Sequence, residues 1–96
     1  MIIGGEALLR SLDGLTPKVH ETAFISEFAY VVGDVEIGEG SSVWPGTVIR
    51  ADSGKITIGR NTCVQDNSVL HGDADVVIGD NVVIGHRALC HARTVG

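Results

Sequence analysis

IGEGSSVWPGTVI, residues 37–49, carries the reading that decides the fold. It repeats in IGRNTCVQDNSVL, residues 58–70, and in IGDNVVIGHRALC, residues 78–90. Within each stretch an aliphatic or small apolar residue returns every six positions: Ile37, Val43 and Ile49, then Ile58, Val64 and Leu70, then Ile78, Ile84 and Cys90. The fifth position of each hexad is small: Ser41, Thr47, Thr62, Ser68, Val82 and Ala88. The fourth holds Gly40, Gly46, Asn61, Asn67, Asn81 and Arg87. Gly and Asn enter the left-handed backbone region at low cost, so this column marks corners, and only Arg87 breaks its chemistry.

Three such hexads make one coil of a triangular prism: three short strands per coil, the large aliphatic side chain pointing inward and the small one packed beneath it. A narrow interior agrees with an apolar content of 44% that includes only one Trp, one Tyr and two Phe. A sandwich of ordinary half-buried strands would not keep nine first positions in phase. The abundance of Val, Ile, Gly and Asn argues against helices in this region.

Between Ile49 and Ile58 three residues are added, in ADSGKITIG, and between Leu70 and Ile78 two are added, in HGDADVVIG. Both excursions follow the third strand of a coil and so leave from one edge of the prism. Upstream, AYVVGDV is a slightly short repeat. Residues 1–96 read as a single domain, with residues 1–24 a less regular N-terminal segment. Glu6 to Leu12 is expected to form one helical turn or two, and Leu15 to Phe24 an extended run with Pro17 near its start.

The formal charge of -5 and the scattered Lys and Arg argue against nucleic acid as a partner. No apolar run approaches the roughly 20 residues of a membrane span, and the first residues lack the pattern of a signal peptide. Cys63 and Cys90 form no CxxC, so reduced thiols in a cytoplasmic protein are expected.

The register sorts the histidines. Arg50, His71 and His91 share the second position of a third strand, so they are expected to stack as one outward column at the strand spacing of about 4.8 Å. That spacing suits two imidazoles on one ion, because Zn–N bonds are about 2.0–2.1 Å. His86 sits above Asp66 in a different column, and five residues with a corner between them do not readily return it to His91. A second copy of the chain could supply the missing ligand. The plainer reading makes Gln65 and Asp66 polar turn residues, Arg50 and Asp52 a solvated pair, and His20 a surface residue.

SSVWPGTVIRAD (residues 41–52), VQDNSVLHGD (64–73) and VVIGHRALCHARTVG (82–96) together resemble the gamma-class carbonic anhydrases and their close homologues. The resemblance runs from Pro17 onward and is more specific than the hexad pattern, which acyltransferases share. It implies an all-β, left-handed parallel β-helix, a homotrimer, and metals at the subunit interfaces. His71 and His91 match the two ligands of one subunit, and His86 the ligand of its neighbour. Zinc is the implied metal, with iron or cobalt able to serve. Arg50 and Asp52 match an interface pair, and Gln65 and Asp66 a pair bordering the metal-bound water. Val64 and Leu89 are set beside the substrate approach.

The implied reaction is reversible hydration of carbon dioxide to bicarbonate, in which the metal lowers the pKa of bound water to about 7 and the resulting hydroxide attacks carbon. The departures matter. Ser53 stands where the best-characterised pattern of the family has a glutamate, the second excursion is short, and Ala92 replaces a common glycine. The family pattern continues for further coils and a helix, so the chain reads as an incomplete β-helix whose open end is expected to pair with another copy. The alternatives are a metal-binding or scaffold homologue with weak or no turnover and, less well supported, a hexapeptide-repeat acyltransferase.

Overall fold

The computed structural model describes residues 2–4, 8–90 and 93–96. Five successive coils run through them. The first holds β1 (Ile2–Gly4), β2 (Leu8–Arg10) and β3 (Lys18–Val19). In the second, β4 (Phe24–Ser26) is followed by β5 (Tyr30–Ile37), which bends and serves two faces. The third repeats this with β6 (Ser42–Val43) and β7 (Val48–Ile58). The fourth has β8 (Cys63–Val64), β9 (Val69–His71) and β10 (Val76–Ile78). β11 (Val83–Ile84), β12 (Leu89–Cys90) and β13 (Thr94–Val95) make the fifth.

Every strand pairs in parallel with its counterpart one coil away. Face one stacks β1, β4, β6, β8 and β11. Face two stacks β2, the first half of β5, the first half of β7, β9 and β12. Face three stacks β3, the second halves of β5 and β7, β10 and β13. The chain is an all-β parallel β-helix built from hexapeptide repeats, three faces to each coil.

The inward column is the one the hexads mark. Ile37, Val43, Ile49, Ile58, Val64, Leu70 and Ile78 are buried almost completely, joined by Ile25, Val31, Val35, Ile56 and Val76. Fully burying such a side chain contributes about 1.5–3 kcal/mol, so a stack of them drives the coils together. Each inward residue sits over its equivalent, as in Val31↔Ile49↔Leu70, leaving no room for rings. The aromatic side chains are accordingly on the outside: Phe28 is 68% exposed, and Trp44 packs against Phe24 with ring centroids 5.1 Å apart.

The fifth position does more than fill space. The hydroxyls of Ser41, Thr47, Thr62 and Ser68 are buried, and each donates to a carbonyl of the next coil: Gly59 at 2.6 Å, Gln65 at 2.8 Å, Gly79 at 2.7 Å and Gly85 at 2.6 Å. Three of them also accept a backbone N–H from that coil: Ser41 from Thr62, Thr62 from Val82, and Ser68 from Ala88. Small size admits the side chain beneath the aliphatic stack, and the hydroxyl satisfies backbone groups that the corner takes out of the strand ladder.

The fourth position is a corner throughout. φ is +68° and +77° at Gly40 and Gly46, and 52°, 59° and 58° at Asn61, Asn67 and Asn81. Arg87, against its chemistry, also adopts φ 55°. Its N–H donates to Asp66 O at 2.9 Å, so the coil below imposes the conformation. A side chain with Cβ in this region costs about 1–2 kcal/mol, and Asn lowers that cost by bonding locally. Arg87→Asn is therefore expected to raise stability by about 0.5–1 kcal/mol. A chemical-denaturation midpoint that failed to rise would show that the arginine side chain compensates for the strain.

The excursions leave from one edge, between faces two and three, as the register requires. Coil two crosses that edge at Gly33 and Asp34, with a register shift between Gly33 and Val35. Gly33 has φ +88°, and a Cβ there would meet Ala51 O of the next coil at 2.3 Å. The longer excursions stack: Asp75 Oδ1 accepts the N–H of Lys55 at 2.9 Å.

The N-terminal segment differs from expectation. Leu8–Arg10 is a strand rather than part of a helical turn, and pairs Leu8↔Tyr30 through Arg10↔Val32. Residues 5–7 lie outside the described residues. After β2 a tight hairpin, bridged Leu12↔Leu15 and turned on Asp13 and Gly14 with positive φ, forms the first excursion. No helix among the described residues is long and apolar enough to cross a membrane.

Candidate metal centre

Face two positions the candidate residues, and it places them at opposite edges. At the far edge Arg50 is in register with His71 one coil above. Strand alternation turns Ala51 inward and Asp52 outward again, so Asp52 lies on the side of Arg50 and His71. Its carboxylate reaches both: Oδ2 is 3.2 Å from Arg50 Nε, and Oδ1 is 2.7 Å from His71 Nε2. In the tautomer carrying its proton on Nε2, His71 donates to Asp52. That hydrogen bond holds the Asp52 carboxyl below the usual carboxylate range; partial desolvation opposes the shift, and the charges of His71 and Arg50 add to it. His71 is the more enclosed of the two partners, with 20% of its side chain exposed against 53% for Arg50.

At the near edge, the corner between faces one and two, Asp66 and His86 occupy equivalent positions one coil apart. His86 Nδ1 is 3.6 Å from Asp66 Oδ1, and both side chains are well exposed. Gln65 precedes Asp66; its N–H donates to Ile84 O, and its own carbonyl accepts the Thr47 hydroxyl. Gln65, Asp66 and His86 are brought together at one edge, and Arg50, Asp52 and His71 at the other. His91 lies outside the described residues; the register of β12 on β9 is described as far as Cys90↔Leu70.

The width of face two separates the two groups by roughly 15 Å of extended chain. Two nitrogens bound to one zinc lie no more than about 4 Å apart, so His71 and His86 of one chain do not share an ion. Among the described residues no three His, Cys, Asp or Glu side chains form a metal-binding group. The donor chemistry nevertheless fits: imidazole suits zinc, iron and cobalt, and a carboxylate on one ring nitrogen is the arrangement that orients a histidine to ligate through the other.

Two expectations need correction or addition. Val64 is fully buried in the inward stack and borders no approach to the site, whereas Leu89 is 75% exposed. The reading of Arg50 and Asp52 as a plain solvated pair misses the contact of Asp52 with His71; the out-in-out alternation of Arg50, Ala51 and Asp52 was its signal. Cys63 and Cys90 are unpaired. His20 Nδ1 bonds Thr22 Oγ1 at 2.9 Å in the first coil, away from both edges.

A parallel β-helix of hexads with imidazoles segregated to two edges of one face defines a class: the hexapeptide-repeat β-helix proteins. The family model for six repeats of the bacterial transferase hexapeptide matches residues 16–51. The chain is 44% identical over 87 residues to gamma carbonic anhydrase 1, mitochondrial, of Arabidopsis thaliana, covering 82% of this chain and 32% of that one. It is 40% identical over 84 residues to a carbonic anhydrase of Geobacillus kaustophilus, covering 85% of this chain and 46% of that one. The crystal structure of a hexapeptide transferase family protein from Anaplasma phagocytophilum superposes with a TM-score of 0.87 at 47% identity, over 91% of this chain and 52% of that one. Over most of its length the chain is similar in sequence to the gamma-class carbonic anhydrases. It spans about a third to a half of the length of these relatives.

Proposed function

We propose that the chain carries the metal site of a carbonic anhydrase, hydrating carbon dioxide reversibly to bicarbonate at sites shared between neighbouring copies in a trimer. One observation carries this reading. His71 stands one rung above Arg50 at the far edge of face two, and His86 stands one rung above Asp66 at the near edge. When the near edge of one copy meets the far edge of the next, imidazole faces imidazole and carboxylate faces guanidinium at a single vertical offset. Such a head-to-tail contact closes into a ring of three when each copy is rotated a third of a turn from the last.

In this assembly His71 and His91 of one copy and His86 of the next hold the metal, zinc by preference and iron or cobalt as substitutes. The metal supplies the Lewis acidity that makes water nucleophilic near neutral pH. Asp52 orients His71. Gln65 and Asp66 border the water and fix its hydrogen bonds, and Arg50 holds Asp66 across the interface. The unpaired thiols agree with a cytoplasmic location.

A second reading, a metal-binding shell with slow or no turnover, is favoured by Ser53 and by the short Gly72–Asp75 excursion, which offer little to relay protons. Acyl transfer is a third, supported by the likeness to the Anaplasma hexapeptide transferase family protein. Elemental analysis of protein made without chelator, followed by a stopped-flow carbon dioxide assay on the same sample, separates them. The expected result is one metal per chain with metal-dependent hydration. Metal without hydration supports the shell, and neither metal nor hydration removes both of the first two readings.

A further inference from the structure

We propose that Glu27 of one copy pairs with Arg10 of the next, three rungs below the shared metal site. The pair locks the lower half of the interface. The inference rests on the reading that His86 and His71 of neighbouring copies meet, and extends it to residues outside the site.

The register supplies the argument. At the far edge of face two, Arg10, Val32, Arg50 and His71 form one column, each in register with the next. At the near edge the pairings Ile25↔Val43, Val43↔Val64 and Val64↔Ile84, continued two residues along, align Glu27, Pro45, Asp66 and His86. In a ring whose axis runs along the β-helix axis, the offset that brings His86 to His71 is the same at every rung. One rung down, Asp66 meets Arg50. Two down, Pro45 stands at the level of Val32, which its own chain already covers to 8% exposure, so that rung adds no charge. Three down, at roughly 14 Å below the histidines, Glu27 meets Arg10. Within these two columns no like charges coincide.

Both end residues are exposed, and among the described residues neither has an ion-pair partner in its own chain. Glu27 is followed by an exposed apolar side chain, Phe28, 68% exposed. An ion pair flanked by apolar surface is shielded from water and fixes register as well as affinity.

The test is a charge swap on the full chain loaded with zinc, followed by sedimentation equilibrium in low salt. Glu27→Lys and Arg10→Glu each place like charges together and are expected to weaken association by about tenfold. The double variant is expected to recover to within about threefold of the unsubstituted chain. Single variants that associate normally, or a double variant in which the losses add, would overturn the pairing. A mixture of Arg10→Cys and Glu27→Cys chains should give a disulfide-linked dimer that neither chain forms alone and that the unsubstituted chain lacks; a link within either single variant would also overturn it. Mass and metal content of the unsubstituted chain are read in the same runs. An unsubstituted chain that assembles with metal while the swap fails removes this pair alone. A monomeric one removes the shared site with it.

Discussion

His71→Ala is expected to lose stoichiometric metal, with affinity lowered by more than about 100-fold, the upper end of what removing a mere supporting partner of a ligand costs. His71 lies on an outward position of β9, and Leu70 beside it carries the core packing, so the coil should keep its fold and its circular dichroism. Asp52→Asn provides the calibrating comparison. It leaves the imidazole in place but weakens the contact that orients it, and should fall within the 10- to 100-fold window, about 1.4 to 2.8 kcal/mol. Metal content after dialysis against a weak chelator distinguishes the two. A His71→Ala protein that still held one metal per chain would remove the histidine from the ligand set, and an Asp52→Asn protein as empty as His71→Ala would make the carboxylate itself a ligand.

The architecture was legible because one column of the hexad tolerates only aliphatic side chains and another only residues at ease with positive φ. Those are backbone and volume requirements, and they act residue by residue. Arg87 shows their limit: the sequence flags it as an exception, yet the hydrogen bond from its N–H to Asp66 O holds it in the corner all the same. The first coil escaped because Glu6-Ala7-Leu8-Leu9-Arg10 has local helix propensity, whereas the described strand Leu8–Arg10 exists through pairing with Tyr30–Val32, twenty-two residues away along each register line. The site divides in the same manner. That Arg50 and His71 share a column followed from counting sixes. That Asp52 lies on the same side as His71 was signalled by the alternation through Ala51; the contact between them also depends on where the excursion begins to leave the rung. That His86 stands above Asp66 in another column followed from the same count; that the two columns lie at opposite edges of one face needed the width of a whole face as a measure.

Ile49→Ala should be the most damaging single truncation in the core, costing about 3–4 kcal/mol of unfolding free energy. Ile49 is completely buried in the third of five coils, with Val31 below it and Leu70 above. Those neighbours are held by backbone ladders on both sides; the hydroxyl of Thr47 bolts the same coil to the fourth, and that of Ser68 bolts the fourth to the fifth. The cavity therefore cannot collapse, which places the cost toward the upper part of the range for Ile→Ala. A domain of this size has about 5–15 kcal/mol in total, so the variant should sit close to its unfolding transition. Because each coil contacts only its neighbours, a break at the third coil uncouples those below from those above. Ile49→Val, which removes one methylene, should lose only about 0.5–1.5 kcal/mol. Denaturant unfolding at one fixed protein concentration checks the series, since assembly would otherwise shift the midpoints by mass action. An Ile49→Ala loss no larger than that of Ile49→Val would mean that the prism interior is loose enough to close around the missing atoms, and the stacked aliphatic column could not then be what holds the two edges of face two at their fixed separation.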